Sequence, residues 1–253
     1  MTMLLSIQSL CKTFGGLEVV RDLSFDVPDG TATALIGPNG AGKTTVFNLI
    51  SGVYPVTSGS IRMCGVDIVD LPSRHRIGRG IARSFQNIRL IPRLSVIDNL
   101  LIGQHVKLKR PLDVLRPFRF ARDHEWIRAA KAELSAFGLS QYDDEPVGLL
   151  PYGVRKRVDL IRATLSSPSL LMLDEPAAGL NASETRELHR HLDILRERGT
   201  TLLIIEHDMH FIRSICEQIV VLNFGCKIAE GPFDQVRTDQ QVSEAYLGTE
   251  RAT

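Results

Sequence analysis

The chain has 253 residues, 43% of them apolar and 23% charged, with a formal net charge of +1. That composition describes a globular chain able to bury a sizeable core, and its near-neutral balance gives no long-range electrostatic reason for a nucleic-acid or acidic-membrane partner. The longest strongly apolar runs, such as residues 170–173 and 202–205, are far too short to span a bilayer, and residues 1–6 lack the basic region and apolar core of a secretory signal.

In chain order, residues 4–26 hold two period-2 stretches, around 5–10 and 19–27, separated by Phe14-Gly15-Gly16. They read as antiparallel strands joined by a glycine turn. A buried strand, 31–36, then runs into Gly37-Pro38-Asn39-Gly40-Ala41-Gly42-Lys43-Thr44-Thr45, and a helix follows from Val46. Strand, G-x-x-x-x-G-K-[ST] and helix together are the signature of a phosphate-binding loop. Gly40 and Gly42 permit the backbone conformations that turn successive N–H groups inward at a helix N-terminus. Lys43 would reach β- and γ-phosphate oxygens, and Thr44 would offer its hydroxyl to a Mg²⁺ bridging them. The expected ligand is a nucleoside triphosphate.

Residues 55–59 are loop chemistry, and 60–64 and 81–85 read as short strands, the second ending at Gln86, a neutral side chain able to ligate Mg²⁺ or its water. From about 87 to 150 the character changes. Ser95-Val96-Ile97-Asp98 resembles a capping box opening a helix, residues 107–122 form a basic, proline-containing stretch read as a solvated loop or broken helix, and 123–137 carries apolar residues at helical spacing. This region is expected to be a helical insertion.

The last hundred residues alternate again: helix 154–166, strand 170–173, helix 182–198, strand 201–205, helix 209–217, then strands at 219–222 and 227–229. Such alternation argues for a parallel sheet with helices on both faces and ligands at the strand C-termini. Asp174 and Glu175 end one strand, where Asp174 would hold the metal and Glu175 would act as general base on an attacking water. His207 follows another strand tip, positioned for the γ-phosphate or the water. Cys11, Cys64, Cys216 and Cys226 form neither a disulfide framework nor a zinc motif and are expected to be buried, reduced thiols.

Five elements, the loop 37–45, Gln86, Leu150-Pro151-Tyr152-Gly153-Val154, Asp174-Glu175 and His207, occur in the order and approximate spacing of ATP-binding cassette (ABC) transporter ATPases, and the resemblance covers essentially the whole chain. It implies a single α/β domain: a RecA-like P-loop NTPase core with a parallel sheet and an antiparallel β subdomain (1–88 and 155–253), and a helical subdomain insertion (89–154) that touches a membrane partner. It further implies that Phe14 stacks on adenine, that Pro151, Tyr152 and Gly153 meet a partner's nucleotide, and that 177–181 crosses a dimer interface. The stretches 84–90, 175–181, 205–209 and 245–248 narrow the likeness to the larger ATPase of branched-chain amino acid importers, with urea or short-amide importers and a non-transport ABC ATPase as alternatives. Implied cofactors are ATP and Mg²⁺. Implied partners are two transmembrane permease subunits, a second ABC ATPase subunit and, indirectly, an extracytoplasmic solute-binding protein, at the cytoplasmic face of the cell membrane. The chain departs from the family pattern at Pro151, which lacks the hydroxyl and N–H of the usual serine, and at Val154, so unequal composite sites are expected in a pair of different ATPases.

Overall fold

A computed structural model describes residues 2–84, 88–104 and 125–250, with side chains through 246. Gln86, the end of the 81–85 strand, the basic stretch 107–122 and the first two residues of the 123–137 helix lie outside the described residues. Strands β1 (Met3–Phe14) and β2 (Leu17–Pro28) form the expected hairpin around Gly15-Gly16, and β4 (Ser58–Met63) and the two-residue β5 (Val66–Asp67) extend it into a four-stranded antiparallel sheet, β2-β1-β4-β5. The second sheet adds β3 (Ala32–Ile36), β6 (Ile81–Ser84), β7 (Leu170–Asp174), β8 (Thr201–Ile205), β9 (Gln218–Asn223) and β10 (Cys226–Gly231) in the order β10-β9-β3-β8-β7-β6. Its pairings are parallel except for the antiparallel edge strand β10.

Strands β3, β7 and β8 are buried at every position, as a sheet covered on both faces demands. Alternate residues serve two cores. Leu171, Leu173, Leu202 and Ile204 face one cluster, while Leu170, Met172, Leu203 and Ile205 face the other. The second cluster is closed by helix α1 (Lys43–Ile50) together with the antiparallel sheet, so one of the two covering layers is mostly β rather than helical. The first is closed by helices: α3 (Val96–Gly103), α4 (Glu125–Ala136), α5 (Tyr152–Thr164), α6 (Ala182–Glu197) and α7 (Met209–Ile215). Ser95 caps α3 by accepting the Asp98 N–H at 3.2 Å.

Three short elements were not anticipated: β5, the helical turn α2 (Ser73–Arg76) and helix α8 (Phe233–Arg237). Helix α9 (Gln240–Glu250) is longer but mostly polar, which hides its period. The cysteine expectation needs correcting. Among the four, all free, only Cys216 is buried; Cys64, just past the end of β4, is exposed, Cys226, the first residue of β10, is half-buried, and so is Cys11 within β1.

His191 on α6 is fully buried and stacks 4.0 Å from Phe137, and neither ring nitrogen has a hydrogen-bond partner among the described residues. Burial, reinforced by Arg190 and Arg157, pushes its pKa down to about 4 from 6.5. The folded chain therefore keeps this imidazole neutral while the unfolded chain takes up a proton below pH 6.5. Stability falls as pH drops from 6.5 towards 4, by about 3 kcal/mol from this group. Denaturant unfolding of wild type and His191→Gln between pH 7 and 4 checks this: the variant's stability should depend less steeply on pH.

Candidate functional site

The loop after β3 closes because its glycines take conformations that other residues reach only with strain. Gly37 has φ +147°, and a Cβ there would fall 2.0 Å from the Leu222 carbonyl oxygen. Gly42, with φ +100°, is the N-cap of α1. Backbone bonds anchor the loop to its neighbours, with the Ala41 N–H donating to Pro38 O at 3.2 Å and the Gly225 N–H to Ala41 O at 3.0 Å. Gly37→Ala cannot relieve a clash with backbone and should abolish nucleotide binding. Gly40→Ala, at φ +81° with open space around the new methyl, should cost only about 1–2 kcal/mol of backbone strain. Titration of both variants with a fluorescent ATP analogue separates the two.

Lys43, only 7% exposed, donates to the carbonyls of Gly37 at 2.6 Å and Pro38 at 2.9 Å. Burial lowers its pKa, against the opposing pull of Glu175 and Asp174, whose carboxylates face it across the site. Thr44 is exposed and Thr45 half-buried on the first turn of α1. The cavity beside the loop, about 270 Å³, is lined by Val19, residues 39–45, Glu175, Ile205 and His207. The parallel register explains the convergence, since β7 and β8 run side by side with Asp174 opposite Ile205, so their following residues emerge together beside the loop that follows β3.

Glu175 sits at φ +50°, a strained conformation for a residue with a side chain. Its N–H donates to Ile205 O at 2.9 Å, and its Oε1 lies 2.9 Å from His207 Nε2. An ionised carboxylate only accepts, so this contact puts the imidazole hydrogen on Nε2. Asp174 is held differently: its Oδ2 accepts from Arg83 Nη2 at 2.9 Å in a pair whose side chains are 7% and 8% exposed. Arg83 Nη1 in turn donates to Asn48 Oδ1 at 2.6 Å.

Three residues near the site carried no assigned role in the sequence. Arg83 is one. Glu206, buried, accepts the Ala177 N–H at 2.7 Å on Oε1 and the His207 N–H at 2.9 Å on Oε2, tying together the loops that follow β7 and β8. Lys156 on α5 donates to the carbonyls of Glu175 at 2.8 Å and Ala178 at 2.7 Å, and burial lowers its pKa against the pull of Glu206 and Glu175. For Arg83 and Glu206 the available signal was a charge on or at the tip of a buried strand, which requires a partner; Lys156, between Arg155 and Arg157 on α5, carried no such signal.

Phe14 and the segment 151–153 do not line the cavity. Phe14, 39% exposed, meets Tyr54 edge-on at 5.2 Å with the Lys12 ammonium 4.6 Å from its ring. Pro151 is the N-cap of α5 and supplies no side-chain bond there; Tyr152 packs against Gly179, and Gly153 against Glu184. Segment 151–153 thus rests on the chain's own 177–181 loop and the start of α6.

A glycine loop at a helix N-terminus, an ammonium, two carboxylates at the tip of β7 and an imidazole beyond the adjoining tip of β8 form a site equipped for phosphoryl transfer to water. Family models match at two places: "ABC transporter" over residues 20–178, and "Branched-chain amino acid ATP-binding cassette transporter" over residues 226–252. The high-affinity branched-chain amino acid transport ATP-binding protein BraF of Pseudomonas aeruginosa is 40% identical over 250 residues, 97% of this chain and 98% of that protein. The corresponding protein LivG of Escherichia coli K12 is 40% identical over 249 residues, with the same coverage of each chain. Among solved structures, the ADP conformation of an ATP-binding cassette from an ABC transporter superposes with a TM-score of 0.87 at 30% identity, covering 98% of this chain and all of that one.

Proposed function

The chain belongs to the ABC transporter family of ATP-hydrolysing subunits, and from that premise we propose that it is the motor subunit of an importer for branched-chain amino acids. The observation that carries this reading is end-to-end similarity to BraF and LivG, including the separate match of the C-terminal segment.

In this reading the loop amides from Gly37 to Thr45 and the Lys43 ammonium hold the β- and γ-phosphates, and Phe14 stacks on adenine. The donors near the γ-phosphate are hard oxygens, the Thr44 hydroxyl and the Asp174 oxygen not taken by Arg83, which suit Mg²⁺; Gln86 would join them. That ion would neutralise charge on the phosphates as it builds. Glu175 takes a proton from water as the water oxygen bonds to the γ-phosphorus and the bond to the bridging oxygen of ADP breaks, releasing phosphate. His207 orients Glu175 and the γ-phosphate.

Pro151, Tyr152 and Gly153 would complete a nucleotide site on a second ABC ATPase, whose own signature would complete this chain's. Restoring the hydroxyl and N–H with Pro151→Ser should speed hydrolysis at the partner's phosphate loop and leave this chain's loop unaffected; single-site turnover in the assembled pair would show it. Helical region 89–154 would pass movement to two transmembrane permease subunits, with a solute-binding protein delivering substrate from the far side. No helix among the described residues is long and apolar enough to cross a membrane, and attachment at the cytoplasmic face through those subunits is the arrangement we infer.

Affinity purification of the tagged chain from its own membranes in mild detergent tests the assembly. A second ABC ATPase and two polytopic proteins should co-purify. Recovery of soluble partners alone would turn the reading to a non-transport ATPase.

A further inference from the structure

A separate cavity of about 370 Å³ lies where α7, α8 and α9 meet the C-terminal end of β3 and the start of β9. That volume is within the range of small-molecule sites, roughly 300–1,000 Å³. Its walls are chiefly apolar, built by Ile36, Ile219, Val236 and Val242, each nearly or fully buried.

The lining holds groups that carry or can carry positive charge, with no acid among them. His210, Arg213 and Arg237 border the cavity and are exposed. The neighbouring acids are already committed. Asp208 accepts the N–H groups of His210 and Phe211 at the start of α7, and Asp239 those of Gln241 and Val242 at the start of α9. Asp234 faces Arg213 at 3.5 Å. Among the described residues Arg237 has no acidic partner.

An apolar pocket with an unopposed guanidinium at its edge discriminates between ligand classes. Inorganic phosphate would satisfy the cation and leave the apolar walls unfilled. A neutral hydrocarbon or alcohol would fill the walls and leave the cation without a counter-charge. We propose that this cavity is a binding site for an amphiphilic monocarboxylate, its medium-length apolar chain among Ile36, Ile219, Val236 and Val242 and its carboxylate at Arg237, with Arg213 beside it.

The site is also wired to the nucleotide residues. Ile36 immediately precedes Gly37, the Tyr246 hydroxyl on the cavity wall is hydrogen-bonded to the Gly37 backbone, and Met209 on the same wall lies two residues beyond His207. An occupant therefore touches the supports of both the phosphate loop and the histidine.

Thermal unfolding of the purified full chain tests the proposal, with octanoate, 1-octanol and inorganic phosphate as probes. Saturating octanoate should raise the midpoint by about 3 °C or more, with 1-octanol and phosphate giving less than a third of that. Arg237→Ala should weaken the octanoate response at least tenfold in concentration, and Val236→Trp, which fills the cavity, should abolish it. Binding of a fluorescent ATP analogue, measured in parallel, should have the same affinity in Arg237→Ala as in wild type, so a failure here is distinguishable from a failure of the nucleotide reading. No shift with octanoate, an equal shift with octanol, or an unchanged response in Arg237→Ala would each overturn it. If Val236→Trp does not fold, Arg237→Ala alone decides.

Discussion

Glu175→Gln lowers steady-state ATP turnover by about 10²–10⁴-fold, the usual contribution of a positioned general base, and leaves ATP affinity within a few-fold of wild type. The reason lies in what Glu175 touches. Its backbone is fixed by the bond to Ile205 O and by the Lys156 ammonium on its carbonyl, and its carboxylate meets the His207 imidazole. In the proposed reading phosphate binding is left to the loop amides and Lys43, and the substitution removes from them the pull of one carboxylate charge on the Lys43 ammonium. Glutamine keeps the shape and the contact to His207 but cannot take a proton from water at neutral pH. Phosphate release and analogue titration on one preparation measure both halves. A variant that lost binding along with turnover would assign Glu175 to the phosphate cradle instead.

Arg83→Met is expected to destabilise the fold by about 3–5 kcal/mol, the cost of leaving one member of a buried ion pair uncompensated. Asp174 is 7% exposed and its Oδ2 is given to Arg83, whose other arm reaches Asn48 on α1. Arg83 thus joins three things: the strand leading towards Gln86, the acid proposed for the metal, and the helix that opens from the phosphate loop. Urea unfolding gives the stability, and the double variant Arg83→Met/Asp174→Asn supplies the control. Removing both charges should recover much of the loss, since an apolar or neutral replacement of a buried pair is close to neutral. A single-variant cost below 1 kcal/mol would show the pair to be wetter than its burial indicates.

The parts of the fold readable from the sequence were those with a strong local period or a special backbone requirement. The strand, glycine loop and helix at 31–50 announced themselves through residues whose conformations few others adopt, and β7 and β8 through unbroken apolar runs too short for helices. The sequence placed Asp174, Glu175 and His207 at strand tips, and the parallel register brings those tips to the phosphate loop. Interactions at long sequence separation were not readable. Arg83 and Asp174 are 91 residues apart, Glu206 and Ala177 are 29 apart, and nothing local announces either contact. Helix α9 escaped because only Val242, Ala245 and Tyr246 mark its buried side before residue 247. Cysteine burial failed for a simpler reason: the residue type favours interiors on average, but strand-end positions placed Cys64 in solvent.

The central claim is that ATP hydrolysis in this chain drives uptake of branched-chain amino acids. The most direct test is uptake of labelled leucine by cells whose only copy of the chain carries Glu175→Gln, compared with wild type, with labelled urea as the parallel substrate. Loss of leucine uptake with urea uptake intact is the predicted result. Unchanged leucine uptake, or loss of urea uptake alone, would contradict the account.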